Sequence, residues 1–172
     1  IRNCDWSSDV CSSDLVKDHI YNTPRAWYMY RYLDLDDAEN HTPESDDIPW
    51  CLEPERAVTV EDVDFLLGSH YEGTPYDPYG TQGTEESRHR YRPIGINRTG
   101  HMVAMQIRPY APVESRSIMW ISYGSGAFTT SAPFYANVDD TPAYLRDTTP
   151  EVSTDCLYWT NQIGRASCRE RV

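Results

Sequence analysis

Residues His70–Gly80 read HYEGTPYDPYG, and this stretch decides how the rest of the chain is interpreted. Its two glycines, two prolines and three tyrosines neither continue a helix nor alternate like a strand. Pro75 and Pro78 fix φ and keep the residues before them out of the α region, whereas Gly73 and Gly80 allow conformations that other residues avoid. We therefore predict a stiff aromatic loop, either a well-packed structural element or a binding loop that loses little entropy when it grips a ligand.

The two ends of the chain differ in character from the middle. Residues 5–15 (DWSSDVCSSDL) and 163–172 (IGRASCRERV) resemble translated sequencing-library adapters, and residues 1–4 would be index bases before the first adapter. Segments of this kind carry no information about the natural fold. We predict that residues 1–15 and 163–172 are adapter-derived artefacts and that residues 16–162 are a fragment of one natural domain.

Cysteine usage bounds the compartment and the chemistry. Three of the five cysteines fall in the two ends, which leaves Cys51 and Cys156. Two distant cysteines give neither a disulfide framework nor a metal-binding spacing, and they fit a reducing compartment or a protein that is merely poor in cysteine. We expect a cytoplasmic location and no metal. Cys51 is expected to be a buried small side chain, since no His or Lys adjoins it to activate the thiol.

The charge of the chain argues against two classes of partner. The net charge is −12 at pH 7, and removing the two ends leaves it unchanged because they carry equal numbers of acidic and basic residues. An acidic surface repels nucleic acids and anionic membranes. No apolar run approaches the roughly 20 residues that cross a bilayer. Neither nucleic acid nor a membrane is expected as a partner.

Two helices are predicted before the aromatic loop. Thr23 is placed to cap the first, with Pro24 at the tolerated first position, and the helix would run to about Leu33 with aromatic side chains on a broad apolar side. The second would begin with Thr59 as its cap, carry acidic residues in its first turn and end at Gly68.

Three segments are predicted as loops. Residues 36–49 are acidic and lack periodicity, so we expect a solvated loop, and the spacing of its acids matches no calcium-binding loop. Residues 81–90 are polar, and we expect them to be mobile. Residues 133–138 (PFYANV) are predicted to form a second aromatic loop.

The second half of the chain predicts a sheet. Residues 102–107 (MVAMQI) and 118–123 (IMWISY) are typical of strands, and the short connection between them favours an antiparallel hairpin. Both faces of these strands are largely apolar. A sheet of this kind is covered on both faces, which indicates an α+β layered arrangement with helices outside.

Several short sequence motifs of this chain occur together, in the same order, in one known family. The chain resembles the C69 family of dipeptidases, which are related to the penicillin V acylase group, in residues 24–28 (PRAWY), 47–51 (DIPWC), 69–80 (SHYEGTPYDPYG), 91–98 (YRPIGINR), 106–109 (QIRP) and 133–138 (PFYANV). The resemblance implies a partial αββα sandwich of an N-terminal-nucleophile hydrolase, with antiparallel strands and flanking helices. It also implies hydrolysis of dipeptides by a cysteine at the first position of the mature chain, without a metal or organic cofactor.

That resemblance also implies what this chain lacks. The nucleophilic cysteine would lie upstream, and Cys51 and Cys156 match other positions of the family. We therefore expect this fragment to be catalytically inactive, although the parent protein would be a cysteine dipeptidase. A dipeptide is the expected partner, and self-association of the full-length protein is left open.

The resemblance and the chemistry of a dipeptide suggest supporting residues. By analogy with related acylases, Arg25 is a candidate to support the nucleophile region. Asp77 could receive the substrate amine, and Tyr76 or Tyr79 could donate to an oxyanion or line the pocket. Each of these residues could instead be structural.

Two other functions remain open. The same scaffold could hydrolyse acylated amino acids or lactams, with the pocket deciding the substrate. The two aromatic loops could also form the groove of a noncatalytic peptide-binding module.

Overall fold

The computed structural model describes residues 18–33, 38–49, 51, 53, 54 and 56–169, of which 165 and 167–169 are described at the level of the backbone only. These residues form α1 (Asn22–Tyr32), α2 (Val60–Gly68), α3 (Glu85–Arg88), β1 (Met102–Ile107), β2 (Ser117–Ser122), β3 (Ala132–Tyr135), α4 (Ala143–Arg146) and α5 (Leu157–Arg169). Short 3-10 turns occur at Ala38–Asn40, Val113–Ser115 and Gly126–Phe128. The predicted α+β class is confirmed.

The chain divides into two compact units. The first, the loop unit, falls within Ile1–Ala57 and Tyr71–Pro93, and it contains α1, α3 and most of the aromatic loop. The second, the sheet unit, falls within Val58–His70 and Ile94–Val172, and it contains α2, the three strands, α4 and α5.

Helix α1 forms where it was predicted, but its N-terminal cap was predicted wrongly. The cap position is Tyr21, which makes no side-chain capping bond, and Thr23 lies inside the first turn. The reason is an upstream turn at Asp18, whose carboxylate accepts from the backbone N–H of Tyr21 at 2.9 Å and whose carbonyl accepts from those of Asn22 and Thr23. Because these N–H groups already have acceptors, the helix begins before the threonine.

Helix α2 confirms its predicted start and end. Thr59 is the cap, and its hydroxyl accepts from the N–H of Asp62 while the Asp62 carboxylate accepts from the N–H of Thr59 at 2.8 Å. This reciprocal pair is a capping box, and it satisfies two N–H groups that the first helical turn would otherwise leave without partners. Gly68 is the last helical residue, with Ser69 following in extended conformation.

The predicted hairpin is confirmed and extended by a third strand. β1 pairs antiparallel with β2, with Ala104 opposite Trp120, and β2 pairs antiparallel with β3, with Trp120 opposite Pro133. The order β1-β2-β3 makes β1 and β3 the edge strands. The prediction of an aromatic loop over residues 133–138 is therefore wrong for its first part. Pro133 obscured the strand because proline cannot donate to a ladder, but an edge strand tolerates it.

Among the residues that the structure describes, one face of this sheet is covered and the other is open. Ala104, Ile118 and Ser122 are buried on one face by the register, and the sulfur of Met102 on that face lies 2.8 Å from where a Cβ on Gly126 would be. On the other face the Met105 side chain is 81% exposed. The expectation of a sheet covered on both faces is not met within the described part of the chain.

Three glycines bring the elements of the sheet unit close together. A Cβ on Gly68 would lie 2.6 Å from the carbonyl carbon of Gly126, and a Cβ on Gly95 would lie 2.1 Å from the carbonyl oxygen of Gly68. The Gly95 N–H also donates to the Ser69 carbonyl at 2.7 Å. The C-terminus of α2 therefore meets two other backbone segments at distances that only glycine permits.

Two further predictions are corrected by the fold. Residues 81–90 contain helix α3, because Thr84 and Ser87 form a second capping box. Cys51 lies in an irregular segment and is exposed rather than buried, whereas Cys156 is buried. Its neighbours Trp50 and Leu52 lie outside the described residues.

The ends of the chain are described only in part. Residues 1–15 lie outside the described residues, while α5 continues through residues 163–169, which the sequence assigns to an adapter. That assignment concerns the origin of the residues and stays a prediction. None of the helices in the described part of the chain combines the length and apolar character needed to cross a membrane.

Candidate functional site

The aromatic loop is a run of tight turns, as its composition predicted. The backbone N–H groups of Thr74, Asp77 and Gly80 donate to the carbonyls of the residues three positions earlier. The Thr74 hydroxyl adds a bond to the Tyr71 carbonyl at 2.8 Å. Consecutive hydrogen-bonded turns give this segment a fixed backbone without a helix or strand.

Asp77 is buried and holds one of these turns. Its Oδ1 accepts from the backbone N–H of Tyr79 at 2.8 Å, which is the geometry of an Asx turn. A Cβ on Gly80 would lie 2.9 Å from Asp77 Oδ2, so the carboxylate is packed closely against the following backbone. The structure thereby joins two of the predicted site residues, Asp77 and Tyr79, in a single turn.

Tyr76 is held between two other aromatic rings. Its ring centroid lies 6.1 Å from that of Trp27 on α1 and 4.8 Å from that of Tyr91, both in edge-to-face geometry. Such pairs stabilise beyond the area that they bury. Tyr76 is therefore packed against α1, the helix that carries Arg25.

Arg25 is engaged with the backbone of the segment that follows α3. Its Nε donates to the Arg92 carbonyl at 3.3 Å and its Nη2 to the Pro93 carbonyl at 3.1 Å. The guanidinium carbon also lies 5.6 Å from the centre of the Tyr21 ring. In this arrangement the arginine ties two segments of the loop unit together.

Arg25 is one of several donors that α1 directs at loop carbonyls. Each of the four donors comes from a different side chain of the helix and reaches a carbonyl at least 14 residues away. The pairs are Trp27 Nε1 to His41 at 3.0 Å, Tyr30 Oη to Pro49 at 2.9 Å, Tyr28 Oη to Glu72 at 3.1 Å and Arg25 Nη2 to Pro93 at 3.1 Å. Because buried carbonyls need donors and loops lack a ladder, α1 supplies what a neighbouring strand would otherwise supply.

Tyr71 was not among the candidate site residues chosen from the sequence. It has a φ of 71°, in the left-handed region that side chains other than glycine seldom adopt, and only 1% of its surface is exposed. Its hydroxyl donates to the Arg92 carbonyl at 2.7 Å. Burial raises the pKa of Tyr71 far above its usual range, although the nearby Arg25 guanidinium opposes that rise. The phenol is therefore protonated at every physiological pH.

A second unexpected cluster surrounds Tyr91. Glu44 Oε1 accepts from the Tyr91 hydroxyl at 2.8 Å and from Arg90 Nη2 at 2.5 Å. The hydrogen bond from Tyr91 lowers the pKa of Glu44, while burial, followed by that same bond, raises the pKa of Tyr91. The acidic loop over 38–49 is thus not merely solvated. Its sequence carries no signal for this contact, because Glu44 and Tyr91 are 47 residues apart.

These groups define what the loop unit can do chemically. Protonated phenols can donate hydrogen bonds to a developing negative charge, and a carboxylate can accept from an ammonium group. The described residues contain no group of three or more His, Cys, Asp or Glu side chains that could hold a metal ion.

This chain belongs to peptidase family C69, whose family model matches residues 5–171. The recognition from the sequence motifs is thereby confirmed. The matched range overlaps most of the two ends that were assigned to adapters, and that assignment is not tested by it.

Several known proteins similar to this chain are named dipeptidases or probable dipeptidases. It is 54% identical over 167 residues to the dipeptidase of Bifidobacterium longum (strain NCC 2705), and the alignment covers 93% of this chain and 31% of that protein. It is 48% identical over 147 residues to the probable dipeptidase A of Streptococcus pyogenes serotype M18 (strain MGAS8232), covering 86% and 31%. Dipeptidase A of Lactobacillus helveticus is 39% identical over 154 residues, covering 90% and 32%. The chain thus spans about a third of the length of these relatives.

Proposed function

We propose that the complete protein to which this chain belongs is a dipeptidase. The observation that carries the proposal is the 54% identity to a protein named dipeptidase over 93% of this chain. The chain itself contributes a supporting and substrate-binding portion of that enzyme.

The proposed mechanism uses a cysteine at the N-terminus of the mature enzyme, outside this chain. Its thiolate attacks the carbonyl carbon of the peptide bond, and its own α-amine takes the thiol proton and returns it to the leaving amine. The resulting thioester is cleaved by water, which releases the second product and restores the thiol. No metal or organic cofactor takes part in these steps.

The proposed roles of the four candidate residues follow from what they contact. Arg25 supports the site by holding the carbonyls of Arg92 and Pro93 rather than by touching substrate. Tyr76 and Tyr79 line the pocket, and one of them donates to the oxyanion. Asp77 receives the substrate amine while its Oδ1 keeps the bond to Tyr79.

We further propose that the sheet is one layer of an αββα sandwich. The support is the apolar face of the strands, where Met105 is 81% and Ile107 is 73% exposed. Exposed apolar side chains in a row on one strand face favour contact with a second layer. That layer would come from the part of the protein that this chain does not include.

The test uses the complete protein and a panel of dipeptides, acylated amino acids and lactams. We expect hydrolysis of dipeptides and loss of activity when the N-terminal cysteine is replaced by serine. Hydrolysis restricted to the acylated amino acids or lactams would replace the dipeptidase proposal with an amidohydrolase, and tight dipeptide binding without turnover would replace it with a peptide-binding module.

The 172-residue chain provides the matched control. We expect it to show no dipeptide hydrolysis, and Cys51→Ser in the complete protein to leave activity unchanged. Hydrolysis by the short chain that disappears with Cys51→Ser would contradict the assignment of the nucleophile.

A further inference from the structure

Glu44 lies in a part of the loop unit that is itself anchored. The carbonyl of His41 accepts from Trp27, and the backbone N–H of Thr42 donates to the Ser45 hydroxyl at 2.8 Å. The Ser45 N–H returns a bond to the Thr42 carbonyl. These bonds close a turn around Glu44, so its carboxylate is presented from a fixed backbone.

The carboxylate makes two contacts of unequal weight. Its ion pair with Arg90 is half-exposed, with 42% of the Glu44 side chain and 55% of the Arg90 side chain open to solvent, and such pairs contribute little. Its hydrogen bond to Tyr91 is different, because Tyr91 is buried and its hydroxyl needs an acceptor. The hydrogen bond to Tyr91 is therefore the more important of the two contacts of Glu44.

Tyr91 passes this constraint to Tyr76. The ring centroids of Tyr91 and Tyr76 lie 4.8 Å apart, and the two ring planes meet at 61°. The Tyr76 ring also contacts the Trp27 ring. A rotation of the Tyr91 ring would remove one of the two aromatic contacts that fix Tyr76. The chain of contacts runs from Glu44 through Tyr91 to a proposed substrate-lining residue.

We propose that Glu44 is a positioning residue that orients Tyr76 through the hydroxyl and ring of Tyr91. This inference rests on the proposed function only for its catalytic consequence, because the ring positions themselves can be observed without turnover. Glu44 touches no substrate. It sets the geometry of the pocket wall and hence the binding of the substrate.

The first experiment uses the 172-residue chain labelled at the tyrosine ring carbons, with the Tyr76 signals assigned through Tyr76→Phe. We expect Glu44→Ala to shift the Tyr76 ring signals and Glu44→Gln, which keeps an acceptor for Tyr91, to shift them less. Asp46→Ala is the matched control, because Asp46 carries the same charge in the same loop but bonds to His19 at 2.7 Å. Tyr76 signals that stay in place in Glu44→Ala, or that move equally in Asp46→Ala, would overturn the proposal.

The second experiment measures KM and kcat for a dipeptide in the complete protein. We expect Glu44→Ala to raise KM about fivefold with kcat within about twofold, since one hydrogen bond supporting the pocket is lost. Partial recovery of KM in Glu44→Gln and an unchanged KM in Asp46→Ala would support the role. If the complete protein is active and Glu44→Ala leaves its KM unchanged, the role proposed for Glu44 is refuted. If the complete protein has no activity, the proposed function is refuted, and the Tyr76 ring signals alone test the role of Glu44.

Discussion

The loop unit and the sheet unit satisfy their backbones in different ways. In the sheet unit, the strands exchange hydrogen bonds with each other in a regular register. In the loop unit, side chains of α1 donate to the carbonyls of His41, Pro49, Glu72 and Pro93. A ladder shares its stabilisation over many backbone groups, whereas each of these bonds to a loop carbonyl is donated by a single side chain. The units should therefore respond differently to substitution.

The largest effect is expected where backbones touch in the sheet unit. Gly95→Ala would place a Cβ 2.1 Å from the Gly68 carbonyl oxygen, and backbone cannot move away cheaply. We expect the free energy of unfolding to fall by about 3 kcal/mol or more, measured by urea denaturation. Gly100→Ala is the control, because a Cβ there meets no atom within 4 Å. Equal stability of the two variants would refute the close contact.

In the loop unit, Arg25→Ala should be costly for a side chain on a helix surface. It removes both bonds that the guanidinium donates to the carbonyls of Arg92 and Pro93. We expect a loss of about 2 kcal/mol in thermal or urea unfolding. Arg31→Ala is the control on the same helix, since it also removes a guanidinium, one whose described contact is with a ring: the Arg31 guanidinium carbon lies 5.8 Å from the centre of the Trp27 ring. A similar loss in both variants would show that the carbonyl bonds do not matter.

Tyr71→Phe tests one carbonyl bond and its pH dependence together. The variant should lose about 1 kcal/mol near neutral pH, because the Arg92 carbonyl loses its bond from the hydroxyl. The raised pKa of Tyr71 means that, above the ordinary tyrosine value of 10, the unfolded chain releases a proton that the folded chain keeps. Stability of the parent chain should then fall, and the gap to Tyr71→Phe should narrow as pH rises past about 10. A gap that stays constant to pH 11 argues against a buried phenol.

The two threonines at helix starts separate a real cap from an apparent one. Thr59→Ala should cost about 1 kcal/mol, because it breaks the capping box with Asp62. Thr23→Ala should cost only a few tenths of that, since Thr23 lies inside the first turn of α1. Circular dichroism during urea unfolding would measure both, and a larger loss for Thr23→Ala would restore the capping role assigned from the sequence.

The smallest effect is expected on the open face of the sheet. Met105→Thr should change the stability of this chain by less than about 0.5 kcal/mol, because Met105 is 81% exposed. If a second layer covers that face in the complete protein, the same change should cost about 2 kcal/mol there. Ile118→Thr, on the buried face, should be destabilising in both. A neutral Met105→Thr in the complete protein would remove the support for the sandwich.

Predictions from the sequence succeeded where the deciding signal is local. The capping residues of α2 sit three positions apart, and the strand periodicity of residues 102–107 needs no distant partner. They failed for two reasons. The cap at Thr23 was displaced by a competing local turn at Asp18, and the exposure of Cys51 depends on what lies beside it in space.

The candidate site was predicted as a list of residues but not as a network. Asp77, Tyr76 and Tyr79 were chosen because they lie in one stiff loop, and Arg25 was chosen through the family resemblance. The partners Tyr71, Tyr91 and Glu44 were missed, because their bonds span at least 21 residues. Such bonds leave no pattern in a single sequence.

By itself the sequence determined the family, the α+β class, the stiff turn-rich loop and the antiparallel hairpin. Each depends on residue types at short, fixed spacings, because backbone sterics and side-chain periodicity act over a few residues. Only the tertiary structure decided which donors reach which carbonyls, that Tyr71 has a left-handed backbone conformation and that Glu44 is the acid that accepts from Tyr91. Those outcomes depend on groups that chain folding brings together from far apart, and a burial or hydrogen bond exists only once both partners are in place.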